Sequence, residues 1–231
     1  MSITIKTLDD YGLGGVDCAK CDNTGAIITT RADGSLYARE CECMKKRRSL
    51  KRIRESGLAD LFPRYTFENY KTPDAERRKL KERALAYCND SPAWLYIAGN
   101  SGSGKSHLCT AICAKLIDSV EIYFMSWRDE SRTLKAEVNE SESYEKRISK
   151  LKTVDLLYID DFLKNSETDA DIRIAFEILN ARYVNTKLRT IISSEKSIEE
   201  ILNRDEALGG RIYERSRGYL LKAPDENWRM R

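Results

Sequence analysis

The sequence has little of what marks a secreted or membrane protein. No apolar run approaches the ~20 residues needed to cross a bilayer, and the N-terminal stretch Met1–Lys6 lacks the long apolar core of a signal peptide. We therefore expect a cytoplasmic protein that makes no membrane contact. The chain also lacks a strong charge of either sign, because 40 basic and 37 acidic side chains leave a net charge of only +3. Binding to a polyanion must then depend on local clusters of charge.

Histidine is almost absent, which leaves cysteine as the candidate metal ligand near the N-terminus. The one histidine, His107, is not a plausible partner for the N-terminal cysteines. Four of the seven cysteines form a CxxC pair and a CxC pair, at Cys18, Cys21, Cys41 and Cys43. In a reducing compartment such pairs hold metal more often than they form disulfides.

Residues 1–45 are predicted to form a small zinc-binding module around these thiols. Two short strands, Gly25–Thr30 and Gly34–Ala38, with a turn at Ala32–Gly34, would bring the pairs together as a hairpin. Four thiolates match the tetrahedral preference of Zn²⁺, and a complete set of protein ligands indicates a structural metal. Its binding would supply much of the folding energy of so small a module. Four free or redox-active thiols are the alternative.

A strongly basic segment follows, and we assign residues 46–60 to a linker helix. The run Met44–Leu58 is rich in Lys and Arg with few apolar positions, which is typical of a solvated helix, and Gly57 marks its expected end. Contact with nucleic acid or an acidic partner and a plain soluble linker are both open. Residues 61–231 are long enough for the main domain. They begin with the aromatic segment Leu61–Tyr70, for which packing against a nucleobase and packing into the core are both open.

The pattern G-x-x-x-x-G-K-S at residues 99–106 predicts a phosphate-binding P-loop. It follows the apolar run Trp94–Ala98, which is typical of a buried strand, and precedes a helix-like segment. Glycines allow successive backbone N–H groups to turn toward phosphate oxygens, Lys105 supplies a cation for the terminal phosphates, and the Ser106 hydroxyl is a Mg²⁺ ligand. The residues predicted to bind the nucleotide are Gly99, Asn100, Ser101, Gly102, Ser103, Gly104, Lys105, Ser106 and His107.

A later apolar strand that ends in carboxylates indicates the magnesium site. Val154–Asp161 runs through apolar residues to the acidic pair Asp160 and Asp161, which is the pattern of a Walker B strand. At the carboxyl end of such a strand Asp160 would hold Mg²⁺ and Asp161 would polarise the attacking water. The alternative is an ordinary strand followed by an acidic helix cap. The P-loop upstream favours the Walker B interpretation.

The last third of the chain contains hydroxyl and arginine candidates. The predicted strand Arg189–Ser194 ends in hydroxyl groups, and Ser194 is placed where a polar side chain can contact a γ-phosphate. The segment Gly209–Gly218 is predicted to be helical and contains three arginines, ahead of a short strand Tyr219–Lys222. Exposure to solvent and insertion into a neighbouring subunit's nucleotide site are both open for these arginines.

The order of these elements resembles the AAA+ ATPase core, and other segments narrow the resemblance to the DnaC/DnaI family of helicase loaders. Zinc-bearing DnaI-like and phage-encoded forms are the most similar. The resemblance implies an α/β fold with a parallel sheet sandwiched by helices and a small N-terminal zinc-binding module. The segments that carry it are the cysteine module, the basic helix, Thr66–Tyr70, Gly104–Leu108, Leu157–Phe162, Ala181–Tyr183 and Gly210–Arg215.

The resemblance also implies roles for single residues. The catalytic set would be Lys105, Asp160, Asp161, Ser194, Arg211 and Arg215. Arg211 is the preferred arginine finger and Arg215 the second choice. Many AAA+ proteins have Glu where Asp161 stands and Asn where Ser194 stands. A shorter carboxylate positions water less well, so we expect hydrolysis to be slow or to depend on a partner.

What the resemblance implies for function is an ATPase that uses ATP, Mg²⁺ and Zn²⁺. It would self-associate on binding ATP and deliver a hexameric replicative helicase to single-stranded DNA, with the zinc module gripping the helicase. One alternative is a transposition helper ATPase that acts on duplex DNA, against which the zinc module counts. A second is a nucleotide-binding adaptor with little hydrolysis, for which Asp161 is the reason.

Overall fold

A computed structural model describes residues 16–55, 61–90, 92–164 and 168–227. These form an antiparallel hairpin and a five-stranded parallel sheet with helices on both faces. The strands are β1 (Ala26–Thr30), β2 (Leu36–Glu40), β3 (Trp94–Ala98), β4 (Ile122–Ser126), β5 (Leu156–Asp160), β6 (Arg189–Ser194) and β7 (Leu220–Lys222). The helices are α1 (Cys43–Glu55), α2 (Ala75–Asn89), α3 (Lys105–Leu116), α4 (Trp127–Glu137), α5 (Ser141–Thr153), α6 (Asp169–Val184), α7 (Ile198–Arg204) and α8 (Glu206–Ser216).

The parallel sheet confirms the predicted fold class. Its strand order is β4-β5-β6-β3-β7, so the strand before the P-loop is paired on both sides. Because helices cover both faces, the strands are almost continuously apolar. Within the described part of the chain, no helix combines the length and the apolar character that a membrane crossing requires.

Alternation along the strands divides the core into two layers. On one face of β3, Leu95 and Ile97 pack with residues of α2 and α3. On the other face, Trp94 and Tyr96 pack with residues of α4, α5, α6 and α8. Successive side chains of a strand point to opposite faces, so residues two apart share a layer. This alternation decides which polar side chains at the strand ends can meet.

The hairpin forms as the sequence predicts, with β1 and β2 joined through a turn. Gly34 has a φ of +82° and donates its N–H to Arg31 O at 3.0 Å. Asp33 accepts from the backbone N–H and the hydroxyl of Ser35 at 2.9 and 2.6 Å. The first fifteen residues of the 1–45 module lie outside the described residues, and the boundaries at 45 and 60 stay a prediction.

The prediction of a solvated basic helix is wrong for α1. Arg48 Nε lies 2.7 Å from Glu121 Oε2, and Arg52 pairs with the other oxygen of Glu121 at 2.6 Å. The Ser49 hydroxyl accepts the backbone N–H of Ile122 at 2.8 Å, and Ile53 is buried in the core. The basic residues therefore tie α1 to β4, which is an edge strand of the sheet and would otherwise expose its backbone groups. The helix end expected near Gly57 lies outside the described residues.

Candidate functional site

The P-loop begins at the carboxyl end of β3 and leads into α3. Gly102 and Gly104 have φ values of +77° and +94°, a region that side chains rarely adopt. Both also lack room, because a Cβ on Gly104 would lie 3.2 Å from the Tyr70 ring and one on Gly102 would overlap Asn227. Gly104 is the residue before the first turn of α3, so the free N–H groups of that helix end point into the loop.

The side chain of Lys105 is buried and folds back on the start of the P-loop. Its ammonium donates to the carbonyl oxygens of Gly99 and Asn100 at 2.6 and 2.8 Å. Burial lowers the pKa of Lys105, and the carboxylates of Asp161 and Glu195 oppose that shift. A buried cation beside the loop is what a polyphosphate requires, since it contributes charge where water is excluded.

The P-loop faces the end of β5 across a cleft of 370 Å³. The lining comprises Leu61, Tyr65, Ser101, Gly102, Gly104, Lys105, Ser106, His107, Thr110, Asp160, Asp161 and Lys164. Most of the residues predicted to bind the nucleotide thus lie on one wall, and the predicted Walker B pair lies on the other. The cleft is at the carboxyl edge of the sheet, where ligands of open α/β proteins bind.

The predicted magnesium ligands are in direct contact. The Ser106 hydroxyl lies 3.0 Å from Asp160 Oδ1 and 3.3 Å from Oδ2. Tyr158 donates its hydroxyl to the same carboxylate at 2.7 Å, and Ser193 donates a further hydrogen bond to it. A carboxylate and a hydroxyl in the first turn of a P-loop helix form an oxygen donor set that suits Mg²⁺.

Ser193 is the hydroxyl at this carboxylate, whereas Ser194, the residue predicted to contact the γ-phosphate, has other partners. The Ser194 hydroxyl donates to Phe162 O at 2.8 Å and accepts from Lys196 N at 3.1 Å, and its side chain is fully buried. The register explains the difference, because Ile159 pairs with Ile192 and places the next residues, Asp160 and Ser193, side by side. Alternation then turns Ser194 toward the opposite layer. The register of β5 with β6 is a tertiary pairing, so no signal in the sequence distinguishes Ser193 from Ser194.

Asp161 is held by a neighbour that the motifs did not reveal. Its backbone has a φ of +52°, and Lys164 Nζ lies 3.1 Å from Asp161 Oδ2. The same ammonium lies 2.7 Å from Glu195 Oε1, just past the end of β6. Burial alone would lower the pKa of Lys164, but hydrogen bonds to Glu195 and Asp161 outweigh it and raise the pKa.

His107 is in the first turn of α3 and packs against the aromatic segment. Its ring stacks on Tyr65 with centroids 4.7 Å apart, and its Nε2 is 2.8 Å from Thr66 O, so that nitrogen carries a proton. Burial is the main cause that lowers the pKa of His107. Phe67 and Tyr70 are buried in the core, which settles that part of the segment as core packing, whereas Tyr65 lines the cleft.

The two candidate finger residues lie on α8. Arg211 donates to Asn180 Oδ1 at 2.9 Å and to Ala207 O at 2.8 Å, and its guanidinium lies over the Phe176 ring. Arg215 lies over the ring of Trp94. Neither lines the cleft that holds Lys105 and Asp160 among the described residues.

The four N-terminal cysteines converge at the base of the hairpin. Their sulfur atoms all lie within 4.8 Å of one another, with Cys18 and Cys41 at 3.7 Å and Cys21 and Cys43 at 3.6 Å. Ligands about 2.3 Å from a tetrahedral Zn²⁺ stand roughly 3.8 Å apart, so the donor set fits zinc. Arg47 is also buried here and donates to Cys43 Sγ at 3.5 Å.

The chain is similar in sequence to a known family and to individual proteins. The family described as IstB-like ATP binding protein matches residues 22–216. The uncharacterized protein YqaM of Bacillus subtilis is 33% identical over 202 residues, which span 80% of this chain and 63% of YqaM. The phage-like element PBSX protein XkdC of Bacillus subtilis is 30% identical over 223 residues, which span 89% and 81% of the two chains.

Helicase loaders appear among both the relatives and the solved structures. The replicative helicase loader DnaC of Buchnera aphidicola is 30% identical over 198 residues, covering 81% of this chain and 76% of that protein. The crystal structure of the DnaC helicase loader aligns with a TM-score of 0.65 at 21% identity, covering 72% of this chain and 100% of that one. That structural likeness shows the shared fold. The chain thus belongs to the IstB-like ATP-binding protein family, as a DnaC/DnaI-type AAA+ member.

Proposed function

We propose that this protein is a cytoplasmic, ATP-dependent loader that delivers a hexameric replicative helicase to single-stranded DNA. The observation that carries the proposal is the contact between Ser106 and Asp160, which joins a P-loop to a Walker B strand in a chain related to proteins named helicase loaders. A P-loop of this geometry supports binding of a nucleoside triphosphate.

Different residues of the cleft bind the phosphates of ATP and the Mg²⁺ ion. Lys105 and the N–H groups at the start of α3 bind the phosphates, and Ser106 and Asp160 hold Mg²⁺. The metal neutralises phosphate charge when bound. Ser193 orients the Asp160 carboxylate through its hydrogen bond. Asp161 polarises the attacking water and accepts its proton.

Hydrolysis is expected to be slow without a partner. Asp161 has a short side chain, and its carboxylate is paired with Lys164. ATP then acts as a switch whose γ-phosphate orders the site until hydrolysis releases it. A nucleotide-binding adaptor is the competing function. Turnover by the native protein compared with Asp161→Glu separates the two, since a large gain in the variant supports the adaptor and robust native turnover excludes it.

Self-association on ATP binding is part of the proposal, with an arginine of α8 completing a neighbouring subunit's site. Arg211 is the first candidate and Arg215 the second, since their guanidinium groups lie outside their own cleft. Mixing Arg211→Ala subunits with Lys105→Ala subunits tests this. Where the two variants are neighbours, the Arg211→Ala subunit supplies an intact nucleotide site and the Lys105→Ala subunit supplies an intact Arg211. The two inactive variants should therefore restore part of the turnover when they are mixed. Turnover that stays at background in the mixture contradicts it.

The cysteine cluster is proposed to bind Zn²⁺ and to fix the hairpin that grips the helicase. The hairpin exposes apolar side chains, with Ile28 at 71% and Leu36 at 70% exposure, and the short distances among the four sulfur atoms support a bound metal. A structural metal stabilises a segment that has little core of its own.

Association with the cognate helicase tests the proposed function. Purified protein and the hexameric replicative helicase of the same host are run on a sizing column with ATP, with ADP and without nucleotide. Co-elution that is strongest with ATP and is lost in Lys105→Ala supports the proposal. The absence of co-elution in all three conditions contradicts the proposed function. ATP turnover stimulated by duplex rather than single-stranded DNA supports the transposition helper instead.

A further inference from the structure

We propose that Lys164 is a positioning residue that holds Asp161 until ATP binds and then moves its ammonium to the γ-phosphate. The inference deepens the proposed function and rests on it, because it assumes that ATP occupies the P-loop cleft. It assigns to Lys164 the discrimination between ATP and ADP. None of the sequence motifs includes this lysine.

The contacts of Lys164 are those of a clamp on two carboxylates. Its Nζ lies 3.1 Å from Asp161 Oδ2 and 2.7 Å from Glu195 Oε1. The lysine side chain is 29% exposed and its partners are 42% and 34% exposed. Pairs in such a setting are stronger than fully exposed ones but remain exchangeable. While the clamp holds, one oxygen of the Asp161 carboxylate is occupied by the ammonium and is not available to a water molecule.

The position of the ammonium suits a terminal phosphate. Lys164 and Lys105 line the same cleft, on opposite walls, together with Ser106 and Asp160. Lys105 belongs to the P-loop and begins α3, whereas Lys164 lies in the turn after β5 that also contains Asp161, the predicted water-activating residue. In P-loop enzymes the γ-phosphate lies between these two walls. The additional charge of a third phosphate therefore arrives beside Lys164, and phosphate oxygens are strong acceptors for an ammonium group.

The turn that presents Lys164 is strained and is anchored to β6. Asp161 and Leu163 have φ values of +52° and +56°, which non-glycine residues rarely adopt. The turn is fixed by Phe162 N–H donating to Ser193 O and by the Ser194 hydroxyl donating to Phe162 O, both at 2.8 Å. Strained residues persist where their surroundings determine them, and they cluster at active sites. The turn thus aims Lys164 back onto Asp161.

Exchange of partners would release Asp161 for catalysis. With the ammonium on the γ-phosphate, the freed carboxylate faces the attacking water. The water oxygen bonds to the γ-phosphorus, its proton passes to Asp161, and the bond to the ADP oxygen breaks. After the phosphate leaves, Asp161 gives its proton to solvent and Lys164 pairs with the carboxylate again. ADP lacks the γ-phosphate and leaves the clamp closed.

Binding of the two nucleotides tests the proposal without relying on turnover. The Kd values of ADP and a non-hydrolysable ATP analogue are measured with Mg²⁺ for wild type, Lys164→Met and Lys164→Arg. We expect Lys164→Met to weaken analogue binding about tenfold or more and to leave ADP binding unchanged. Lys164→Arg keeps the charge and should retain much of the preference for the analogue. Lys187→Met removes an exposed lysine at the turn before β6 and is the matched control.

A second variant separates the specific role from a structural one. Glu195→Gln removes one partner of Lys164 and leaves Asp161 in place, so we expect it to keep the preference for the ATP analogue. A preference in Lys164→Met equal to that of wild type overturns the inference, as does an equal loss of analogue and ADP affinity. If wild type itself binds no ATP analogue, the proposed function fails before the inference is tested.

Discussion

Ser106 donates its hydroxyl to Asp160 at 3.0 Å, which joins the first turn of α3 to the last residue of β5. The two residues are 54 positions apart in the chain. The parallel sheet brings them together, because β5 and the P-loop strand β3 both end at the same edge and flank β6. The proposed magnesium position is therefore set by the fold and not by one contiguous segment.

Substitution of the two neighbouring serines should differ in its effect on Mg²⁺ binding. Ser193→Ala removes a hydrogen bond to Asp160 and the acceptor of the Asp161 backbone N–H, so it should raise the Mg²⁺ concentration needed for ATP binding. Ser194→Ala leaves Phe162 O and Lys196 N without their partner in a buried site. It should lower the free energy of unfolding by about 1–3 kcal/mol. Magnesium titrations and denaturant unfolding of both variants check this, and a Mg²⁺ effect confined to Ser194→Ala would show the assignment to be wrong.

Zinc should copurify with the protein in about equal molar amount and should depend on the cysteine cluster. Cys41→Ser removes one ligand, so the variant should lose most of the metal, as measured by elemental mass spectrometry of the purified protein. Cys113→Ser is the control, since Cys113 is buried on α3 and lies outside the cluster. ATP binding should survive metal loss, because the hairpin contributes no residue to the cleft. A metal-free wild-type protein, or equal zinc in both variants, contradicts the assignment.

The α1 helix should detach from the sheet when Glu121 is replaced. The Glu121 side chain is 18% exposed and pairs with both Arg48 and Arg52. Glu121→Ala should lower the free energy of unfolding by roughly 1–3 kcal/mol and increase protease cleavage in α1. Glu42→Ala breaks the exposed pair with Lys20 and should leave α1 protected. Equal protease resistance of wild type and Glu121→Ala would mean that the arginine pairs do not hold the helix.

Stability should fall as the pH falls through the titration of His107. Burial lowers the pKa of His107 from its usual 6.5, so the unfolded chain binds the proton more readily than the folded protein does. The stabilisation is present above the unfolded pKa and is lost below it. His107 is the only histidine, so His107→Gln should remove this component.

Urea unfolding between about pH 7.5 and about pH 5.5 measures the effect of His107. The wild-type free energy of unfolding should drop more steeply than that of His107→Gln over this range. Parallel curves for the two proteins would show that His107 titrates normally in the folded state.

The sequence predicted those parts of the site whose chemistry requires fixed spacing. Lys105 and Ser106 follow directly from the glycine pattern, and Asp160 from an apolar strand that ends in acid. The four cysteines were identifiable for the same reason, since metal ligation needs close pairs. These features depend on the local spacing of residues, which is visible in the sequence itself.

The rest of the site depends on tertiary contacts that spacing does not reveal. Ser193 faces Asp160 and Ser194 does not, because the register of β5 with β6 decides which hydroxyl lies beside that carboxylate. The charge of α1 indicated solvent, yet Glu121 of a distant strand neutralises two of its arginines. Lys164 belongs to no motif and becomes visible only where the turn after β5 folds back on Asp161.

Delivery of a helicase ring to DNA can be measured as loading onto a closed circle of single-stranded DNA. A circle offers no end over which a hexameric ring can thread, so unwinding of an annealed strand reports opening and loading. We predict that unwinding by the cognate helicase requires this protein and ATP, and that it is lost with Lys105→Ala. Unwinding that is equal with and without the protein, at limiting helicase, would show that the protein does not deliver the helicase.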